Sequence, residues 1–83
     1  MQMHQINKIL EERQDEYGDA LENFETIGKI WGALLKIDPI EPYKVALMMD
    51  ALKTVRLFKN KDHIDSWLDK EGYLRHGKDI VSR

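Results

Sequence analysis

Apolar positions recur at helical spacing in separate stretches of this chain, and the polar breaks between them predict helices at about residues 4–16, 20–36, 42–58 and 62–76. In the first stretch Ile6, Ile9, Leu10 and Arg13 share one side of a helix, and Tyr17 extends it. Gly18 then offers a stop with positive φ. Asp19 follows, with Glu22 three residues later, the spacing of a capping box in which Asp19 accepts a free backbone N–H and Glu22 reaches back. The second helix carries Leu21, Phe24, Ile27, Trp31, Leu34 and Leu35 as its apolar stripe. Gly28 and Gly32 lie four apart on a neighbouring face. Each costs about 1 kcal/mol in a helix interior relative to alanine. Close approach of another helix accounts for them, and so does a backbone that must come near a ligand.

Two prolines, Pro39 and Pro42, make 37–42 a connection, with Pro42 suited to the first position of the third helix. Val45, Met48, Met49, Leu52 and Val55 form the expected buried side of that helix, broadened by Leu47, Leu57 and Phe58. A helix so widely apolar faces neighbours on two sides, which favours an oligomer. After a polar turn at 59–61 the fourth helix carries Ile64, Trp67, Leu68 and Leu74 and is expected to end near Arg75 or His76, with Gly77 as its stop. Phe24, Trp31 and Trp67 are expected in the core. No stretch alternates like a strand. The expected architecture is all-α: one domain over 1–83, a compact four-helix bundle completed by oligomerisation.

Size and composition narrow this further. With 83 residues and no cysteine, the chain has a small core and no disulfide to support it, which again favours self-association. Charged residues make up 34% with a net charge of -2, so the basic excess of a duplex nucleic-acid binder is missing. The longest apolar run, Trp31–Leu35, is far short of the roughly 20 residues a membrane span needs. The first residues lack the layout of a secretory signal, so the expected location is the cytoplasm.

Three groups of residues could carry chemistry. Carboxylates crowd the first break, with Glu12 and Glu16 at i, i+4; Asp65 and Asp69 repeat that spacing on the fourth helix. Such pairs on facing helices suit Mg²⁺, a hard ion that bridges oxygen ligands to phosphates. The plainer reading is capping and interaction with helix dipoles. Lys53 and Arg56 sit one turn apart beside Met49 and Leu52 and must find an anion, either a carboxylate such as Asp65 or Asp69 or a ligand phosphate. Arg13 is a similar charge in an apolar register. Tyr17 and Tyr73, each beside a glycine, could stack a base or lie at the rim of the core. His4, His63 and His76 are scattered, without cysteine partners, so zinc is not expected. Neither Ser66 nor Ser82 has an evident histidine base, and no phosphate-binding glycine loop is present.

The string Ile9-Leu10-Glu11-Glu12-Arg13, Tyr17-Gly18-Asp19 and Asn23 resembles the opening of a family of small bacteriophage proteins. The later signature, Met49, Leu52-Lys53, Arg56-Leu57, His63-Ile64-Asp65, Asp69 and Gly72-Tyr73, resembles the same family, so the likeness covers about residues 9–74. More distantly the chain looks like the all-α, MazG-like nucleotide pyrophosphohydrolases. That likeness implies Mg²⁺ held by Glu12 and Glu16 with Asp65 and Asp69, and cleavage of nucleoside triphosphates. The superfamily's first motif is typically E-x-x-E, whereas this chain has Glu12-x-x-x-Glu16 or Glu16-x-x-Asp19. In size and class the chain is also similar to small helical phage proteins that sequester cyclic-nucleotide immune signals.

Three functions follow. The favoured one is a protein of the infected bacterial cytoplasm that holds a nucleotide, including a cyclic one, without cleaving it and with no metal. Arg13, Lys53 and Arg56 would contact phosphates, and Tyr17 or Tyr73 would stack a base. Asp19, Asn23 or Asp69 would read base or ribose edges, with backbone N–H groups at Gly18 beside them. The second is the Mg²⁺-dependent hydrolase, in which the acidic pairs hold metal. The third is a helical interaction module whose polar residues only tie helices together.

Overall fold

The computed structural model describes residues 19–83, which form helices α1 (Ala20–Leu35), α2 (Pro42–Lys59) and α3 (Ile64–Val81) and no strand. The helix expected over 4–16 and the break at Tyr17-Gly18 lie outside the described residues. No helix among the described residues is long and apolar enough to cross a membrane.

α1 starts where the sequence places it. Asp19 has extended backbone, and its carboxylate accepts the Leu21 N–H at 3.3 Å. Glu22 is exposed in the first turn, where it suits the helix dipole; the reciprocal bond of a capping box is not among the described contacts. The helix ends on Lys36, which takes up the left-handed conformation at φ 59°. Its N–H and that of Ile37 then close onto the carbonyls of Ala33 and Gly32.

The two glycines of α1 answer neither of the expected purposes. Residues 37–41 fold back along α1, and the Ile40 N–H donates to the Gly28 carbonyl at 3.1 Å. A Cβ on Gly28 would stand 2.1 Å from the Ile40 carbonyl oxygen, and one on Gly32 2.9 Å from that of Asp38. The close neighbour is therefore the connection's own backbone, neither another helix nor a ligand.

The core is small. Phe24, Val45 and Ala46 are buried together, with Ile27, Trp31, Ile40, Met49, Tyr73 and Ile80 packed around them. Pro42 opens α2 as expected, and Val45, Met49 and Leu57 of the expected buried side do face inward, but the rest of that side does not. Val45 is fully buried, while Met48, Leu52 and Val55 are exposed and Phe58 is 90% exposed. The residues turned toward α3 include Ala46, Asp50, Lys53 and Thr54. Apolar spacing alone misplaced Met48, Leu52, Val55 and Phe58 because small and ionic residues occupy the α2–α3 seam. Leu34, Leu35 and Trp67 are likewise exposed rather than core.

α3 also differs from expectation at both ends. His63 caps it, so it begins at Ile64, and it runs through Gly77 to Val81. Gly77 is buried, and a Cβ there would lie 3.3 Å from the Ala46 Cβ. The glycine that looked like a stop permits close packing of α2 and α3, and neighbouring residues hold the helix through it.

Candidate functional site

The α2–α3 seam concentrates the chemistry. Lys53 and Asp69 come from helices that run antiparallel, and their ammonium and carboxylate meet at 3.1 Å. The Asp69 side chain is only 12% exposed and that of Lys53 31%. Burial of a carboxylate is costly unless it is paired, and here the Lys53 ammonium supplies the partner. Arg56 lies one turn further along α2, exposed, and has no ion pair among the described residues.

A second contact runs beside the first. Lys70 Nζ lies 2.9 Å from the buried Oδ1 of Asp50 and donates to the Thr54 hydroxyl. The Thr54 hydroxyl in turn donates to the Asp50 backbone carbonyl at 3.3 Å. Lys70 was not singled out from sequence. Its place could have been found only by knowing that Asp50 and Thr54, one turn apart, face α3.

Tyr73 follows Asp69 by one turn and packs on the core. Its ring centroid is 6.4 Å from that of Phe24, and the His76 ring lies edge-on to Phe24 at 6.2 Å. Part of its stacking surface is thus committed inside the fold. Asn23, next to Phe24 on α1, is half-buried, and its N–H donates to the Asp19 carbonyl. Asp19 itself caps α1 and lies 4.0 Å from the guanidinium of Arg83. Arg83 stands just past the C-terminal end of α3, on the order of 20 Å along that helix from Asp69. Lys53 and Asp69 therefore meet at the seam, with Arg56 one turn along α2 and Tyr73 one turn along α3 in the opposite direction, and Asp19 sits at the far end of α3.

Asp65 is exposed in the first turn of α3, one turn before Asp69. Glu12, Glu16, Arg13, Tyr17 and Gly18 lie outside the described residues. Among the described residues no group of acidic or histidine side chains is arranged to hold a metal ion. Of the acidic residues proposed for Mg²⁺, Asp69 already has the Lys53 ammonium against it.

One arrangement runs against the sequence expectation. His63 Nδ1 is 2.7 Å from the Ser66 hydroxyl and also accepts the Ser66 N–H at 3.2 Å. The pair is a helix cap. Ser66 is fully buried, which closes it to a substrate, so the contact does not make a nucleophile.

The family model for DUF6378, a domain of unknown function, matches residues 2–81. The chain belongs to the DUF6378 family. It is also similar to the Gene 55 protein of Mycobacterium phage L5, at 42% identity over 62 residues that cover 75% of this chain. The chain spans 40% of the length of that relative. No solved structure matches it. Both findings agree with the likeness to small phage proteins drawn from the motifs. As a DUF6378 member the chain is all-helical over its described residues, with the ionic seam as its distinctive polar feature.

Proposed function

We propose that this DUF6378 chain binds a nucleotide at the Lys53–Arg56–Asp69 end of the α2–α3 seam, holds it without cleaving it, and does so as a self-associated protein in the cytoplasm of an infected bacterium. The observation that carries this reading is the placement of charge. α2 turns Asp50, Lys53 and Thr54 toward its neighbour while Leu52, Val55 and Phe58 stand exposed. A buried ion pair is weak as a source of stability, and apolar replacements of similar volume often serve as well or better. A chain that keeps a lysine there, one turn from an exposed arginine, has the elements of a phosphate site: a point charge on a fixed helix and a planar fork that can bind bidentately. Asp69 would orient Lys53 and read a ribose or base edge.

A phage nucleotide pyrophosphohydrolase is the second reading, supported by the i, i+4 spacing of Asp65 and Asp69 on α3. In it, Asp65 and Asp69 would supply half of a Mg²⁺ site, and the metal would polarise the phosphoryl oxygens.

One experiment separates the two. The protein is melted with cyclic and linear nucleotides, with and without Mg²⁺, and the nucleotide is recovered and identified. A ligand at 100 times its dissociation constant stabilises the fold by about 2.7 kcal/mol. A shifted melt with intact nucleotide supports sequestration, and release of pyrophosphate supports the hydrolase. A melt that no nucleotide moves sinks both and leaves a helical interaction module. Arg56→Ala is expected to abolish the ligand-induced shift while the unliganded melt stays within about 0.5 kcal/mol of wild type, as for an exposed surface position.

A further inference from the structure

The flank of the α2–α3 pair away from Arg56 carries a different pattern. On α3, Trp67, Lys70, Leu74 and Val81 follow one another at i, i+3, i+7 and i+14, which places them along one side of the helix. On α2, Leu47, Asp50, Thr54 and Phe58 do the same at i, i+3, i+7 and i+11. Lys70 meets both Asp50 and Thr54, so the two stripes adjoin. Together they make a two-helix face. Its centre is a neutral Asp50–Lys70 pair whose side chains are under one-fifth exposed. Around that centre stand Leu47, Phe58, Trp67, Leu74 and Val81, between 43 and 90% exposed. Trp67 is held in place at the surface, because its indole N–H donates to the Lys61 carbonyl at 2.8 Å.

We infer that this face is where a second copy of the chain docks, through a two-fold contact. The inference deepens the self-association named above and is independent of what the opposite flank binds. The area fits. The five apolar residues together expose on the order of 500 Å², near the apolar share of the roughly 800 Å² per partner that a standard interface buries. The charge fits as well. A two-fold contact sets the same patch against itself, so any net charge at its centre would meet its like. Here Asp50 and Lys70 cancel, and Lys78 lies at the border. Trp67 and Phe58 are the residue types that anchor interfaces, and the fixed indole loses little freedom on association. Lys53 and Arg56 stay outside the contact.

The test is sedimentation of the full chain from low to high micromolar concentration, for wild type, Phe58→Glu, Leu74→Glu and Leu52→Glu. Wild type should dimerise. Each of the first two substitutions should weaken the dimer at least about tenfold, as expected for a central interface residue. Leu52→Glu, on the other flank, should leave it intact. A wild type that stays monomeric overturns the inference and hands the face to the chain's own first 18 residues or to a foreign partner. Loss of the dimer in Leu52→Glu with its retention in Phe58→Glu overturns it too. If the glutamate variants lose their helical signal, the wild-type face still decides in a Trp31→Phe background. Emission from Trp67 must move to the red on dilution, and emission that does not move rejects the contact. A nucleotide-dependent melt that persists in monomeric Phe58→Glu shows that the two flanks act separately.

Discussion

The junction of α1 with the 37–41 connection and the seam of α2 with α3 are both close contacts, built on opposite means. At the first, side chains are missing: Gly28 and Gly32 let backbone lie on backbone, and the Ile40 N–H bonds directly to the Gly28 carbonyl. At the second, long charged side chains span the gap, Lys53 to Asp69 and Lys70 to Asp50. A steric contact of the first kind has no substitute, because any added atom must displace main chain. An ionic contact has several, because what it needs is matched polarity and filled volume. The first kind therefore fixes the fold, and the second is free to be shaped by ligand binding.

The sharpest way to break this contrast is Gly28→Ala. The new methyl would overlap the Ile40 carbonyl, only 2.1 Å away, and drive off the bond beneath it. Overpacking of this severity is expected to cost about 3 kcal/mol, even after the gain in helix propensity. In a domain of this size that lowers the Tm by roughly 12–24 °C. Gly32→Ala, with its nearest contact at 2.9 Å, should cost about half as much on the same scale. Thermal melts followed by circular dichroism check both. An unchanged Gly28→Ala melt would mean that the connection yields, and the contrast would fail.

The seam should behave otherwise. Lys70→Ala leaves Asp50 without its cation, and we expect a loss of about 2 kcal/mol, below the 3–5 typical of a fully buried pair because the site reaches the surface. Asp50→Leu combined with Lys70→Met should return to within about 1 kcal/mol of wild type, since apolar groups of similar volume replace both charges. Urea melts of the two single variants and the double variant give the coupling directly. A double variant as weak as the sum of the singles would show that the seam is as irreplaceable as the glycine junction.

How much of this was legible follows the same division. The starts of α1 and α2 came through from local chemistry. Asp19 and Pro42 mark starts by capping and by fixed φ, and both act within a turn of where they stand. The inward face of α2 came through only in part, at Val45, Met49 and Leu57. Its apolar stripe at Met48, Leu52 and Val55 is exposed, and only the burial of Ala46 with Gly77 against it explains why small residues win that side. The Lys53–Asp69 pairing was foreseeable, because a shielded cation must find an anion. The Lys70–Asp50 pairing needed the antiparallel register of two helices, which no local pattern encodes. Gly77 misled for a related reason: a glycine favours a helix stop only when nothing packs against it.

A smaller effect tests whether the seam depends on how α3 begins. His63 accepts the Ser66 N–H through Nδ1 at 3.2 Å. His63→Ala removes the cap and is expected to cost about 1 kcal/mol, while His63→Asn, which restores an acceptor, should recover most of it. Melts of the two variants decide the matter. Equal losses would assign the effect to packing around buried Ser66 rather than to the cap.

The mildest change sharpens the glycine side of the comparison. Lys36 holds the left-handed conformation that ends α1, at φ 59° and ψ 43°, where a β-carbon crowds the following carbonyl. That conformation costs an ordinary residue about 1–2 kcal/mol, and glycine is free of it but loses more chain entropy on folding. The net expectation for Lys36→Gly is a gain of about 0.5–1 kcal/mol, one of the few changes here that should raise the melt. The side chain itself is exposed, so little else is lost. The gain has a second use. If the turn at Lys36 sets the path by which 37–41 returns to Gly28, then easing that turn should recover part of the stability lost in Gly28→Ala, and the two effects will not add. Strict additivity in the double variant would mean that the turn and the backbone contact are built independently, with the junction's rigidity residing at Gly28 alone.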